Sequence, residues 1–304
     1  MLTEDEIDTI KSNIFHRSID AIPNYQSFLW HTTTYKEITA NLPKSSQAVV
    51  IDIWGCIALS PYRDKIINTL FNVDRENWEI IFEFRDKYNI LHEYGKTSID
   101  VALFSSDIGI FIESKFTETI NDGCYYWREC KCNGDYCEDQ TLLRKGKFKC
   151  TFNAQWFKGD SLSKDYIKYW DYIPKIYNLP YDEKGDIKPC PFKNQYQIMR
   201  NLCLSKAIEL SPLYEKIKHT INYLAYFNSI KFDLYNKVLN NNYSEEIKKY
   251  LFDENSINFM HYNGLLNKKY GIIDLAKKVV ENNINELNVF NELEIWINNK
   301  IEAV

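Results

Sequence analysis

The order of apolar and polar positions along the chain predicts strands that alternate with helices. A helix is expected in "PKSSQAVVIDIWGCIAL", because Ser45 and Ser46 are suitable N-cap residues and a long apolar stretch follows them. The segment "WEIIFEFRDKYNILHEYGK" is expected to form one or two strands, and Thr97–Glu118 contains two further apolar runs. Strands and helices in this order favour a mixed sheet with helices packed against it.

Farther along the chain, apolar residues recur mostly at helical spacing. We expect helices in "NQYQIMRNLCLSKAIEL" and in "INYLAYFNSIKFDLYNKVL". A strand is expected in "SINFMHYNGLL", followed by a helix in "IDLAKKVVENN" and a terminal helix in "INELNVFNELEIWINNKI". The C-terminal part is therefore predicted to be mainly helical, with one strand packed among the helices.

The 304 residues are enough for one large domain, or for a core with an appended unit. We expect an N-terminal helical segment over residues 1–44, a core over 45–210, and an α/β extension packed on that core over 211–304. Residues from about 120 to 190 are rich in Cys, Tyr, Trp and Gly and have weak periodicity. They are therefore predicted to form an irregular, Cys-rich insertion with short helices.

The segment Thr97–Glu118 predicts a hairpin with acidic residues inside apolar strands. A tight turn centred between Ser106 and Asp107 places Asp100 and Glu113 equally far from its centre, so the two carboxylates should face each other. Opposed residues of an antiparallel pair have Cβ atoms roughly 4.5–5.5 Å apart. Lys115 lies two residues beyond Glu113 and is expected on the same face of the sheet.

Opposed carboxylates destabilise a strand pair, and a buried carboxylate without a partner costs several kcal/mol. A hard divalent cation resolves this conflict, since Mg²⁺ takes one or two carboxylates and leaves its other positions to water and phosphate. Asp100 and Glu113 are therefore predicted to bind Mg²⁺ or Mn²⁺. Lys115 is then placed to orient or deprotonate a water, or to stabilise developing negative charge, in phosphodiester hydrolysis.

The alternative to a metal site is an ordinary ion pair on an exposed sheet face. The string Glu-x-Lys alone has little specificity, because Glu129 with Lys131 and Glu246 with Lys248 also match it. Neither of these pairs lies in an apolar strand that follows an acidic strand of matching register. The apolar residues around Asp100 and Glu113 favour a buried hairpin over an exposed one.

This hairpin resembles the D…(D/E)xK core of the PD-(D/E)xK nuclease superfamily, which has the restriction-endonuclease-like fold. Asp100, Glu113 and Lys115 match its three central catalytic positions. The resemblance implies an α/β fold: a helix, a mixed sheet of about four strands and a second helix, here with the Cys-rich insertion. Five segments also resemble, in order, a bacterial family of restriction-endonuclease-like proteins over about residues 43–205: "PKSSQAVVIDIWG", "TSIDVAL", "IESKFTE", the Cys-rich segment and "PFKNQYQIMRNL".

The resemblance also implies further site residues. Superfamily members often add an acidic residue from the first helix or an early strand, and Glu93 is the preferred candidate here, with Glu83 and Asp52 as alternatives. Many members place a Gln on the helix that follows the metal-binding strands. Gln197 matches that position best and Gln47 is the next choice; ordinary capping or packing would explain either residue equally well.

The cysteines offer a second candidate metal site. Cys130, Cys132, Cys137 and Cys150 could supply four thiolates to a structural Zn²⁺, with Cys124 as an alternative to Cys150, although the usual Cys-x₂-Cys pairs are missing. Some relatives with this nuclease core hold an iron–sulfur cluster through one ligand before the core and three after it, which this chain does not match. The alternative is free thiols, with Cys56 and Cys203 as small core residues.

The net charge of −5 disfavours a non-specific nucleic-acid binder, which is usually basic. A local basic run at Arg144, Lys145 and Lys147 is nevertheless a candidate DNA contact, with a solvated basic turn as the alternative.

The ten glycines form neither a P-loop nor a dinucleotide fingerprint. The acidic N-terminus and the lack of a long apolar run favour a cytoplasmic protein.

Together these observations predict a Mg²⁺-dependent DNA endonuclease in restriction or another bacterial defence. Cleavage of both strands of a duplex would suit a homodimer, since two-fold symmetry matches a palindromic site. Two alternatives remain open: a nuclease for DNA repair or processing, and an inactive, zinc-stabilised nucleic-acid-binding protein.

Overall fold

The fold is described by a computed structural model for residues 2–32, 37–42, 44–93, 95–117, 136–137, 167–179, 186–187 and 191–304. The α-helices are α1 (Glu4–Ser12), α2 (Ser46–Ala58), α3 (Arg63–Phe71), α4 (Tyr169–Ile176), α5 (Tyr196–Leu210), α6 (Asp233–Leu239), α7 (Asn242–Lys248), α8 (Ile272–Val279) and α9 (Ile284–Glu302). Short 3₁₀ helices cover His16–Ala21, Thr39–Asn41, Pro191–Asn194, Pro212–Tyr214 and Glu254–Ser256.

The main sheet has five strands: β1 (Glu79–Arg85), β2 (Ser98–Ser105), β3 (Ile108–Ser114), β4 (His219–Tyr226) and β5 (Ile257–His261). They lie in the order β1-β2-β3-β4-β5, with antiparallel pairs from β1 to β3 and parallel pairs from β3 to β5. Two-residue strands pair Tyr136–Cys137 with Asp186–Ile187, and Leu265–Leu266 with Lys269–Tyr270. The predicted mixed α/β architecture is therefore confirmed.

Apolar layers cover both faces of this sheet. On one face, α2, α3, α8 and α9 pack on alternate strand residues such as Ile110 and Ile112. On the other face, α4, α5, α6 and α7 pack on residues such as Phe111 and Leu224. Because both faces are covered, polar side chains on the central strands must find partners inside the protein or at the sheet's end.

The β2–β3 hairpin has the register that the sequence predicts, with Val101 opposite Ile112. Its turn contains Ser106 at a φ of 36°, in the left-handed region. The backbone oxygen of Asp107 accepts the N–H groups of Lys218 and His219, at 2.7 and 3.1 Å. The turn is thereby joined to the start of β4, which aligns β3 with its parallel neighbour.

One predicted helix is wrong: "INYLAYFNSIKFDLYNKVL" contains strand β4 and then helix α6. Along β4, Tyr223 and Ala225 pack on one face of the sheet, whereas Leu224 and Tyr226 pack on the other. A parallel strand buried on both faces is apolar at nearly every position, which resembles a helix in sequence. Since β4 and β5 belong to the main sheet, the sheet continues across the predicted boundary at residue 210.

Ser45 caps α2 as the sequence predicts, since its hydroxyl accepts the backbone N–H of Ala48 at 3.1 Å. Replacing Ser45 with alanine is expected to lower the free energy of unfolding by about 1 kcal/mol, because that N–H loses its acceptor. Urea denaturation measures the loss. Ser46→Ala is the control because Ser46 lies inside the first turn; an equal loss there would contradict a specific capping role.

No helix in the described part of the chain has the length and apolar character needed to span a membrane.

Candidate functional site

The regular alternation of strand residues breaks at Asp100. Ile99 packs in the α5-side cluster, whereas Val101 packs in the α2-side cluster, although residues two apart in a strand normally share a face. On the neighbouring strand, Glu83 has a φ of 49°, an uncommon backbone conformation for a residue other than glycine. This local distortion lies where β1 and β2 approach the ends of α2 and α5, and functional sites are common places for such distortion.

Glu113 is held by three side-chain donors. Its Oε1 accepts Lys115 Nζ at 2.7 Å and Gln197 Nε2 at 2.5 Å, and its Oε2 accepts Asn201 Nδ2 at 2.9 Å. Gln197 and Asn201 are four residues apart on α5 and therefore lie on the same side of the helix. The carboxylate of Glu113 is thus fixed between its own strand and α5.

Lys115 follows β3 directly, and its backbone N–H donates to the carbonyl oxygen of Ala225 at 2.9 Å. This bond extends the parallel pairing with β4 and fixes where the side chain leaves the sheet. The ammonium donates to Gln197 Oε1 at 2.9 Å as well as to Glu113, and 16% of the side chain is exposed. A charged nitrogen therefore lies beside Glu113, on a side chain that is partly exposed to solvent.

Asp100 lies partly buried beside this group, and its Oδ2 accepts the backbone N–H of Ser114 at 2.7 Å. Burial raises the pKa of Asp100 well above its usual value, and the carboxylates of Glu113 and Glu83 raise it further. Lys115 and the N–H of Ser114 oppose this shift without cancelling it. The site thus carries more negative charge than its lysine neutralises, which suits a cation.

Glu83 connects the site to the beginning of α2. Its carboxylate accepts Gln47 Nε2 at 2.7 Å and Ser98 Oγ at 2.9 Å, and it lies 3.0 Å from His31 Nε2. The hydrogen bond with Glu83 raises the pKa of His31, in opposition to burial. Of the alternatives left open by the sequence, the structure therefore brings both Glu83 and Gln47 to this part of the site.

Glu93 and Asp52, the other acidic candidates, have different partners. Glu93 forms an ion pair with Arg200 at 3.0 Å and accepts the hydroxyl groups of Tyr169 and Thr97. Asp52 is fully buried and forms an ion pair with Lys300 at 2.7 Å. Each of these carboxylates ties a helix to the rest of the fold.

The predicted Zn²⁺ ligands and DNA contacts lie almost entirely outside the described residues. This applies to Cys130, Cys132, Cys150, Arg144, Lys145 and Lys147, and only the backbone of Cys137 is described, in a two-residue strand. Among the described residues, no three His, Cys, Asp or Glu side chains group so as to hold a metal ion. Cys56 and Cys203 are small buried residues of the two apolar clusters.

Sequence reasoning missed Asn201 and His31. Asn201 follows Gln197 by one helical turn, so a search at four-residue spacing along the predicted helix would have found it. His31 lies 52 residues before Glu83 along the chain, and no local pattern around it points to this contact.

Replacing Asp100 with asparagine is expected to raise the free energy of unfolding of the metal-free protein at pH 8. The pKa of Asp100 is raised in the folded protein, so the protonated carboxyl contributes to the free energy of unfolding. This contribution is fully present below the ordinary pKa of 3.8 and is lost as the pH rises through the folded-state pKa. A neutral amide avoids the loss. Urea denaturation at pH 8 and pH 4 should show the advantage of the variant shrinking at the lower pH.

Asp107→Asn is the matched control, because hydrogen bonds from Arg75 lower the pKa of Asp107. A lowered pKa contributes stability above the unfolded-state pKa, so this variant should lose stability at pH 8. If Asp100→Asn also loses stability at pH 8, the ionised carboxylate of Asp100 does not destabilise the folded protein.

The fold and this site define a mixed α/β protein with paired carboxylates and a lysine at the end of adjacent strands. The chain belongs to the family described as restriction endonuclease associating with ARP, which matches residues 24–277. The match is longer than the 43–205 expected from the sequence, and it includes β4 and β5. The family description places the chain among nucleases of the restriction-endonuclease type. No curated protein and no solved structure matches the chain.

Proposed function

We propose that the chain is a divalent-metal-dependent DNA endonuclease that acts in restriction or another bacterial defence. The observation that carries this proposal is the group formed by Asp100, Glu113 and Lys115, in which a partly buried carboxyl of raised pKa lies beside a second carboxylate. Oxygen ligands of this kind fit Mg²⁺ or Mn²⁺, which need only one or two protein carboxylates. The family description supports phosphodiester hydrolysis as the reaction.

Asp100 and Glu113 would hold the metal ion, whose chemistry is to polarise a phosphate and lower the pKa of a bound water. Lys115 would donate hydrogen bonds to the attacking water or to the phosphate oxygens and stabilise the charge that develops there. Gln197 accepts from Lys115 and donates to Glu113, so it keeps the ammonium and the carboxylate in a fixed relation. Glu83 would act on Asp100 through its negative charge, which raises the pKa of that carboxyl.

Other parts of the proposal rest on the sequence. Arg144, Lys145 and Lys147 would contact the DNA backbone, and a Zn²⁺ held by Cys130, Cys132, Cys137 and Cys150 would stabilise the segment around them. A homodimer would cut both strands of a duplex. The family description names an association with ARP, and we propose that this chain has a partner of that kind.

The direct test is incubation of the purified protein with supercoiled plasmid in the presence of Mg²⁺, with EDTA as the metal-free control. Conversion to nicked or linear DNA that stops in EDTA supports the proposal. Cleavage of only branched or single-stranded DNA would favour a processing nuclease. Binding of DNA without cleavage under Mg²⁺ and Mn²⁺ would favour a binding protein and overturn the proposal.

A further inference from the structure

Two buried asparagines beneath the site each have a side-chain oxygen that accepts no hydrogen bond in the described structure. Asn201 lies on α5 and Asn222 on β4, and each residue is only 6% exposed. Buried amide oxygens are normally paired with a protein group or with ordered water, because leaving them unpaired costs free energy. Two such oxygens on facing elements therefore require an explanation.

The orientation of both amides is fixed by their NH₂ groups. Nδ2 of Asn201 donates to Glu113 Oε2 at 2.9 Å, and Nδ2 of Asn222 donates to Ser205 Oγ at 2.9 Å and to the carbonyl oxygen of Ser256 at 3.2 Å. Rotating the Asn201 amide by 180° would place its oxygen against the Glu113 carboxylate, which cannot donate. Rotating the Asn222 amide would place its oxygen against the carbonyl oxygen of Ser256, and the Ser205 hydroxyl already donates to Thr220. The unpaired atoms are therefore the two Oδ1 atoms.

Both asparagines line the same small cavity. It has a volume of about 10 Å³ and is lined by Asn201, Asn222 and Glu113, together with apolar residues that include Ile99 and Phe111. A volume of this size is about what one water molecule requires, and a buried water needs two or more polar partners. Water has two O–H donors, and each of the two asparagines that line the cavity has an oxygen without a donor.

We propose that one water binds in this cavity and donates to Oδ1 of Asn201 and to Oδ1 of Asn222. The water fixes the amide of Asn201 with its NH₂ group towards Glu113. Asn201 and Asn222 are then positioning residues that act through the water on the orientation of the Glu113 carboxylate. The predicted effect on metal binding rests on the proposed function, whereas the water site itself does not.

A crystal structure at a resolution that shows ordered waters tests the site directly. One water within hydrogen-bonding distance of both Oδ1 atoms is the expected result. A cavity without that water, or an amide rotated so that the two asparagines bond to each other, would overturn the proposal. This test needs no nuclease activity.

The coupling to Glu113 is tested with Asn222→Leu, which removes one acceptor and fills the cavity. We expect the crystal structure of this variant to lack the water, and Mg²⁺ affinity measured by calorimetry to fall about 10- to 100-fold, as is usual when residues supporting metal ligands are lost. If the leucine variant does not fold, Asn222→Ala is used. The alanine side chain has no hydrogen-bond acceptor, so the water loses one partner and Mg²⁺ binding should weaken in the same direction.

Ile221→Val is the matched control on the same strand. Ile221 packs in the apolar cluster on the α2 side of the sheet and does not line the cavity, so the valine variant should lose stability but keep both the water and the Mg²⁺ affinity. Equal losses of affinity in Ile221→Val and Asn222→Leu would overturn the positioning role. Absence of Mg²⁺ binding by the wild type would reject the proposed function, and the water site would then be decided by the crystal structures.

Discussion

Replacing Lys115 with alanine is expected to slow DNA cleavage by a factor of about 10²–10⁴, the usual contribution of a group that assists proton transfer or stabilises developing charge. The ammonium is bonded to Glu113 and Gln197, so it lies beside the place where Glu113 would hold the metal ion. Single-turnover cleavage of a defined duplex at saturating Mg²⁺ measures the chemical step. Circular dichroism and urea denaturation establish that the variant is folded.

Lys248→Ala is the matched control for this variant. Glu246 and Lys248 have the same Glu-x-Lys spacing as Glu113 and Lys115, but they lie on the short helix α7. This control should cleave at the wild-type rate. A folded Lys115→Ala protein that also cleaves at the wild-type rate would remove Lys115 from the site, and an equal loss in Lys248→Ala would show that the effect is not local.

The part of the site that lies on the hairpin could be predicted from the sequence because local geometry determines it. The turn at Ser106 and Asp107 fixes the register of the two strands as far as the pair formed by Val101 and Ile112. Asp100 and Glu113 come directly after this pair, although the alternation of faces breaks at Asp100. Gln197 follows from the resemblance, because many superfamily members place a Gln on the helix after the metal-binding strands, and the apolar rhythm of the sequence predicts that helix.

The rest of the site depends on contacts between distant segments. Glu83 is the less favoured candidate in the sequence. Both Glu83 and Glu93 lie before Asp100 in a strand-like segment, and nothing there shows which of them reaches Asp100. The left-handed backbone at Glu83 and its contact with Gln47 depend on how α2 packs against β1. Pattern alone also could not separate β4 from a helix, because burial on both faces removes the alternation.

Replacing Arg200 with methionine is expected to lower the free energy of unfolding by about 3–5 kcal/mol, because it leaves the buried Glu93 carboxylate without its charged partner. Glu93 is 5% exposed, and Arg200 also donates to Thr97 Oγ1 at 3.1 Å and to the carbonyl oxygen of Gly95 at 2.9 Å. Arg63→Met removes a partly exposed ion pair with Asp64 and should cost about 1 kcal/mol or less. Urea denaturation compares the two variants.

The ion pair between Glu93 and Arg200 leads to a test of which of two roles Glu93 has. As the partner of Arg200, Glu93 holds α5 against the start of β2, and α5 carries Gln197 and Asn201 to Glu113. Glu93→Gln should therefore lower stability while the folded protein keeps its Mg²⁺ affinity in calorimetry. If that variant stays as stable as the wild type but no longer binds Mg²⁺, Glu93 belongs to the active site, as the sequence resemblance implies. The two roles thus change different measurements.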